Sequence, residues 1–250
     1  MSFGDSLSDV GTYAPVATAN FGGGRFTTNP GQVWVQDVAQ YYGDTLTPVM
    51  TGGFGVAPAT QSGLGYAQGG TLVTNPIGIN HVSNDPANYQ GALTVPVAQQ
   101  VKNYLAAHGS FNAGQLVLVG GGANDILYNL QAVQEGKLAP TDAGVAIAKA
   151  AGQLAGIVAS IVQNGATHVL VSNVPDVSMT PQGMMSSAAV RAQMKQVSQL
   201  FNATLTAKLT EFGVISKVIV LDIATPFAAM YPSAQPVLNS RIHNAKVLPS

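Results

Sequence analysis

The sequence predicts an α/β fold in which a five-stranded parallel sheet is covered by helices on both faces. Three short apolar runs, at residues 116–119, 168–171 and 217–221, are rich in valine, leucine and isoleucine and are bounded by glycine or polar residues, as buried parallel strands usually are. Helical patterns, with apolar residues at three- and four-residue spacing, follow these runs. Because strands and helices alternate along the chain, we expect one parallel sheet between two helical layers.

Two further strands complete the predicted sheet. Residues 1–3 form a short first strand, and residues 45–49 are expected to form the second. The predicted helices have alanine-rich interiors and span residues 32–42, 142–163, 187–212 and 223–230. Two segments rich in glycine, proline and asparagine, residues 51–65 and 74–89, are predicted to be loops that shape a pocket at the carboxyl ends of the strands.

The composition limits the classes of function. The 250 residues are enough for one sizeable domain, and no change in composition divides it. Charged residues make up only 8% of the chain and the net charge is -1, so a basic surface for nucleic acid is not expected. The absence of cysteine excludes disulfides, thiolate metal sites and a cysteine nucleophile. No His, Asp and Glu cluster has metal-ligand spacing, and a cofactor-free protein is therefore predicted.

The sequence predicts no membrane span. The most apolar stretch, residues 144–163, is interrupted by Lys149 and Gln153 and has a helical pattern, which indicates a core-facing helix. Residues 1–2 lead directly into the first motif, without the cationic and apolar regions of a signal peptide. The abundant Ala, Gly, Ser, Thr, Asn and Gln are typical of secreted bacterial proteins. We therefore expect a mature form of a secreted or cell-surface protein from a bacterium.

Three short blocks carry the candidate chemistry. Residues 3–9 read Phe-Gly-Asp-Ser-Leu-Ser-Asp and place Ser6 just past the first strand, where its hydroxyl can reach the carboxyl edge of the sheet. Gly69 can bring its N–H close to a substrate because it has no Cβ, although a loop turn would also use glycine. Asn124 follows the strand at 116–119 and a glycine turn, so its amide points over the same edge or caps a helix.

In order and local context, these blocks resemble the first three signature blocks of the GDSL, or SGNH, family of serine hydrolases. The resemblance runs from residue 3 to about residue 230. It implies a flavodoxin-like SGNH fold and a serine nucleophile, Ser6. It also implies that the backbone N–H groups of Ser6 and Gly69 and the side chain of Asn124 hold the oxyanion of the reaction.

No sequence block in this chain matches the one that carries the general base in the family. The family's late Asp-x-x-His block is absent, and residues 231–250 form a divergent polar tail of the single domain, 1–250. His243 is the candidate base because it alone follows the family's chain order, but Ser240 stands where the carboxylate should be. His108 at a helix end and His168 at a strand start have structural explanations, whereas His81, in the loop at 78–90, could serve only if that loop folds over Ser6.

The sequence therefore predicts a carboxylic ester hydrolase, an esterase or lipase, that acts on a small-molecule or lipid ester through an acyl-enzyme. Two alternatives remain open at this point. The first is a catalytically impaired or truncated SGNH module that binds a lipid, a glycan or a protein partner. Such a module would also lack the histidine block. A carbohydrate O-acetylesterase could be built on the same fold.

Overall fold

The computed structural model describes residues 1–27, 30–82 and 89–229. Its strands are β1 (Ser2–Phe3), β2 (Met50–Gly53), β3 (Val56–Thr60), β4 (Leu116–Val119), β5 (His168–Ser172) and β6 (Val218–Leu221). Four of them form a parallel sheet in the order β1-β4-β5-β6, and β2 and β3 form a separate antiparallel hairpin. The predicted parallel α/β architecture is confirmed.

The second predicted strand, residues 45–49, is reduced to an isolated bridge between Pro48 and Gly65. Gly65 also bridges Ser2, and the Tyr66 N–H donates to the Ser2 carbonyl at 2.8 Å. The segment at 65–66 thus occupies the place beside β1, and Pro48 has no N–H with which to extend a ladder. The described sheet therefore has four parallel strands rather than five.

The segment predicted as a loop at 51–65 contains most of the β2–β3 hairpin. Phe54 and Gly55 join the two strands, with φ angles of 52° and 87°. Two consecutive residues with positive φ make the tight turn that matches the twist of antiparallel strands. The sequence Phe-Gly is not among the usual signals of this turn, because a bulky residue rarely adopts positive φ.

The helices are α1 (Ala14–Phe21), α2 (Trp34–Tyr41), α3 (Val97–His108), α4 (Ala123–Gln134), α5 (Pro140–Gln163), α6 (Pro181–Met185) and α7 (Ala188–Glu211). Residues 224–229 are also helical. The predicted helices at 32–42, 142–163 and 187–212 agree with α2, α5 and α7 to within two residues. The last helix predicted, 223–230, extends outside the described residues at 230.

Alternate residues of the strands point into two different cores. Val117 and Val119 of β4 belong to the larger core, which contains buried residues of α3, α4, α5 and α7. Leu118, between them, packs with Val33 and Val35 at the start of α2. Since successive side chains of a strand point to opposite faces, this sheet has an apolar layer on each side.

Helix α5 is long and apolar enough by length and composition to cross a membrane. Its buried residues include Ile147, Leu154 and Val158, which belong to the larger core, and the helix packs against α7. This packing agrees with the sequence interpretation of residues 144–163 as a core-facing helix.

A glycine at the start of α4 leads to a testable prediction about packing. Gly122 has φ of 111°, and a Cβ at this position would overlap the ring of the fully buried Phe201. Gly122→Ala should therefore lower the free energy of unfolding by about 2–5 kcal/mol, through backbone strain and overpacking. Urea unfolding followed by circular dichroism measures this change.

The matched control is Gly144→Ala, in the body of α5, where a Cβ would meet no atom within 4 Å. Alanine restricts the unfolded chain and favours a helix, so this variant should gain about 0.5–1 kcal/mol. Equal effects of the two substitutions would contradict the packing described at Phe201.

Candidate active site

The candidate nucleophile, Ser6, follows β1 directly at the carboxyl edge of the sheet. The chain leaves β1 through Gly4, with φ of 152°, where a Cβ would lie 2.7 Å from the Gly120 carbonyl oxygen. A single 3-10 turn, Ser6–Ser8, comes next, and the Asp5 carboxylate caps it by accepting the Leu7 N–H at 3.1 Å. Ser6 therefore stands at the first position of a rigid, capped turn.

Gln100 of α3 fixes the segment before the nucleophile. Its side chain is 1% exposed, its Oε1 accepts the Gly4 N–H at 2.8 Å and its Nε2 donates to the Gly4 carbonyl at 2.9 Å. The amide thus pairs with Gly4 as a neighbouring strand would. No sequence pattern predicts this role, because a glutamine in the first turn of a helix usually faces solvent.

Asp9 joins the nucleophile segment to Gly69. One carboxylate oxygen accepts the N–H groups of Gly11 and Thr12 at 2.9 and 2.7 Å, and the other accepts the Gly69 N–H at 2.8 Å. The Gly69 N–H, which the family resemblance implies as an oxyanion donor, donates to Asp9 in this structure. An amide has one hydrogen and a carboxylate is a strong acceptor, so this N–H is engaged elsewhere in the arrangement observed.

Asn124 is the second residue of α4 and is 8% exposed. Its Nδ2 donates to the Thr71 carbonyl at 2.9 Å, which orients the amide and leaves its second hydrogen available. The N-cap of α4 is Gly122, without a side-chain capping bond, so Asn124 does not serve as the cap.

Ser6 and Asn124 line the same cavity, which also includes Gly69 and has a volume of about 910 Å³. Among the described residues, no group accepts the Ser6 N–H and none hydrogen-bonds to its Oγ. The N–H and hydroxyl of Ser6 and one N–H of the Asn124 amide therefore have no hydrogen-bond partner among the described residues, and both residues line one cavity. Such a set can bind a carbonyl oxygen while the hydroxyl attacks its carbon.

Three buried carboxylates lie around the nucleophile turn: Asp5, Asp9 and Asp125. Burial raises the pKa of each, although backbone N–H groups oppose the shift. For Asp125, burial and the neighbouring Asp5 charge raise the pKa to about 7, while the Val73 N–H, which donates to Asp125 at 3.0 Å, lowers it. None of these carboxylates is paired with a cation within the part of the chain that the structure describes.

The described histidines lie in structural positions outside the cavity lining. His81 Nδ1 lies 3.1 Å from the Ala92 carbonyl and 3.1 Å from the Thr94 hydroxyl. His108 packs on the Tyr104 ring, with centroids 4.5 Å apart, and His168 is exposed at the start of β5. His243, the predicted base, lies outside the described residues.

The parallel sheet carries a serine after β1 and an asparagine after the neighbouring strand β4. Both residues line one cavity, as in an SGNH-type hydrolase fold. The family model described as GDSL-like lipase/acylhydrolase matches residues 1–243, and the chain therefore belongs to this family. The match extends beyond residue 230, where the resemblance was expected to end, and reaches His243. No curated protein matches the chain.

The buried Asp125 gives a prediction about pH. The unfolded chain releases this proton near the ordinary pKa of 3.8, whereas the folded protein keeps it until about 7. Between these values the folded state binds more protons at Asp125, so the contribution of this residue to the free energy of unfolding should fall as the pH rises and level off above 7. Asp125→Asn keeps an acceptor for the Val73 N–H and removes the charge, and should be about 1–4 kcal/mol more stable than the parent at pH 8.

Urea unfolding at intervals from about pH 4 to pH 9 measures this dependence. The control is Asp142→Asn, at an exposed position in the first turn of α5, which should keep the slope of the parent protein. An unchanged slope in Asp125→Asn would show that Asp125 does not carry the effect.

Proposed function

We propose that this protein hydrolyses carboxylic esters through an acyl-enzyme formed on Ser6. The observation that carries the proposal is the shared cavity, which is lined by Asn124 and by Ser6, whose hydroxyl and N–H have no partner among the described residues. Membership in the GDSL-like lipase/acylhydrolase family supports acyl-ester hydrolysis in general. The cavity geometry extends this support to a serine route and to named residues.

In the proposed mechanism, Ser6 Oγ attacks the ester carbonyl and its proton passes to a base. The negative charge then develops on the carbonyl oxygen, which the Ser6 N–H and the second hydrogen of Asn124 Nδ2 stabilise. The base returns the proton to the leaving alcohol, and water hydrolyses the acyl-enzyme by the same steps. Gly69 stays bonded to Asp9 and contributes the wall of the cavity beside the carbonyl.

We propose His243 as this base. The family match extends to this residue, and none of the three described histidines lines the cavity that includes Ser6. An imidazole has the ordinary pKa that suits proton transfer near neutral pH. With Ser240 in place of the family's carboxylate, the imidazole would lack its usual orienting partner.

The same observations bear on the two alternative functions, a non-catalytic SGNH module and a carbohydrate O-acetylesterase. A non-catalytic SGNH module would keep the cavity but leave Ser6 unactivated, and labelling of the serine separates the two cases. A carbohydrate O-acetylesterase must hold a polar sugar beside the acetyl group, whereas this cavity of about 910 Å³ has mainly apolar walls, which favours an alkyl chain.

The proposal predicts that Ser6→Ala lowers the turnover of p-nitrophenyl butyrate by at least about 1000-fold and keeps the thermal unfolding of the parent. Mass spectrometry after reaction with a fluorophosphonate should show one label per chain, lost in the variant, because an activated serine alone reacts quickly. Absence of labelling together with absence of turnover would identify a non-catalytic module.

Asn124→Ala, the matched test of the oxyanion donor, should lower turnover by about 100-fold or more. The control is Asn129→Ala on the same helix, because Asn129 Nδ2 donates to the Asp125 carbonyl rather than toward the cavity. Its turnover should stay within about twofold of the parent, since only a backbone carbonyl loses a partner. Similar losses in both variants would indicate a structural effect of α4.

For the base, the pH–rate profile should show an ionisation near pH 6–7, as expected for imidazole, and His243→Ala should abolish it. The loss of turnover should be similar to that of Ser6→Ala, since nucleophile and base act as one unit. His108→Ala, at the residue stacked on Tyr104, serves as the control. Full turnover in His243→Ala would exclude it as the base.

A further inference from the structure

Two cavities flank the nucleophile turn and share one wall. The larger, of about 910 Å³, includes Ser6 and Asn124, and the smaller, of about 410 Å³, includes Leu7 and Ser8 of the same turn. Phe26 and Thr27 line both cavities. The segment that carries these two residues therefore separates the spaces on either side of the candidate nucleophile.

Phe26 is held in this wall by aromatic packing. Its ring lies against Gly69 so closely that a Cβ on Gly69 would overlap it, and it meets the Tyr13 ring edge to face at 6.2 Å. Tyr13 is itself fixed, because its hydroxyl donates to the Gly69 carbonyl at 2.9 Å and its ring meets Phe54 at 5.2 Å. Phe26 remains 53% exposed, so one face of its ring is open to a ligand.

The lining of the larger cavity is suited to binding an alkyl chain. Its lining includes the apolar side chains Val16, Ile79 and Leu127 besides the three aromatic rings. Arg25 is the one charged residue that lines it among the described residues, and its guanidinium donates to Gln36 and to the Pro30 carbonyl. The volume falls in the upper part of the range of about 300–1,000 Å³ in which proteins bury whole ligands.

The smaller cavity is also mainly apolar, and it is lined by residues other than the candidate catalytic pair. Trp34, Leu221 and Phe227 lie along it, with Ser8, Ser172 and Asn173 as polar residues. Neither Ser6 nor Asn124 lines this space. A carbonyl bound between those two residues therefore lies in the larger cavity, which has room for a long acyl chain, and the smaller cavity has room for the alcohol that leaves.

We propose that Phe26 is a specificity-determining residue that separates an acyl subsite from a leaving-group subsite, and that the preferred substrates are esters of medium-length alkyl acids. This inference rests on the proposed esterase function. The open face of the Phe26 ring packs against the alkyl chain and ends the acyl subsite on the side of the smaller cavity. Replacing the ring with a methyl group joins the two spaces, and a larger ring shortens the acyl subsite.

The test uses p-nitrophenyl esters of acids with two, four, eight and twelve carbons, and kcat/KM is measured for each. The parent should prefer the eight-carbon ester over the acetate by at least about tenfold, since each buried methylene favours the bound state severalfold. In Phe26→Ala, the ratio of the twelve-carbon to the four-carbon ester should rise about tenfold relative to the parent. In Phe26→Trp the same ratio should fall.

Tyr41→Ala is the matched control, because this aromatic residue is 84% exposed on α2 and lines neither cavity. Its profile of kcat/KM against chain length should match that of the parent. Failure of the parent to hydrolyse any of the esters would overturn the proposed function itself. Hydrolysis of all four, with the same length profile in the parent, Phe26→Ala and Phe26→Trp, would overturn the role of Phe26 and leave the esterase function standing.

Discussion

The carboxylate of Asp9 accepts three backbone N–H groups from two loops that are about sixty residues apart in sequence. Polar groups that are almost fully buried must be hydrogen-bonded, and each N–H left without its acceptor would cost about 1–3 kcal/mol. These hydrogen bonds fix the position of the loop after Ser6 relative to the loop at Gly69. The cavity between the two loops, its aromatic wall and the position of Asn124 depend on this arrangement.

A second set of buried hydrogen bonds fixes the chain on the other side of the nucleophile turn. Gln100 pairs with both backbone groups of Gly4, while Gly4 itself packs on the Gly120 carbonyl at the end of β4. Ser6 is thus fixed by buried hydrogen bonds ahead of it and behind it. Rigid placement of this kind suits a nucleophile, because its geometry must match the transition state to a fraction of an ångström.

The features that the sequence predicts correctly are those carried by local patterns. β-branched runs identify β4, β5 and β6, and the order of short motifs places Ser6 and Asn124 at neighbouring strand ends. The hairpin was missed because its turn, Phe54–Gly55, adopts positive φ without the residues that usually signal it. Asp9, Gln100 and Phe26 were missed as site-forming residues because each role depends on a contact distant in sequence, which no local pattern contains.

The length of β1 has a consequence for how the protein is assembled. This strand has two residues, and its only strand partner in the described sheet is β4, with Ser2 opposite Leu118 and Phe3 opposite Val119. During synthesis the first strand cannot dock until more than a hundred further residues have left the ribosome. The turn that carries Ser6 is therefore completed late in folding, after β4 and the helices between β1 and β4 have been synthesised.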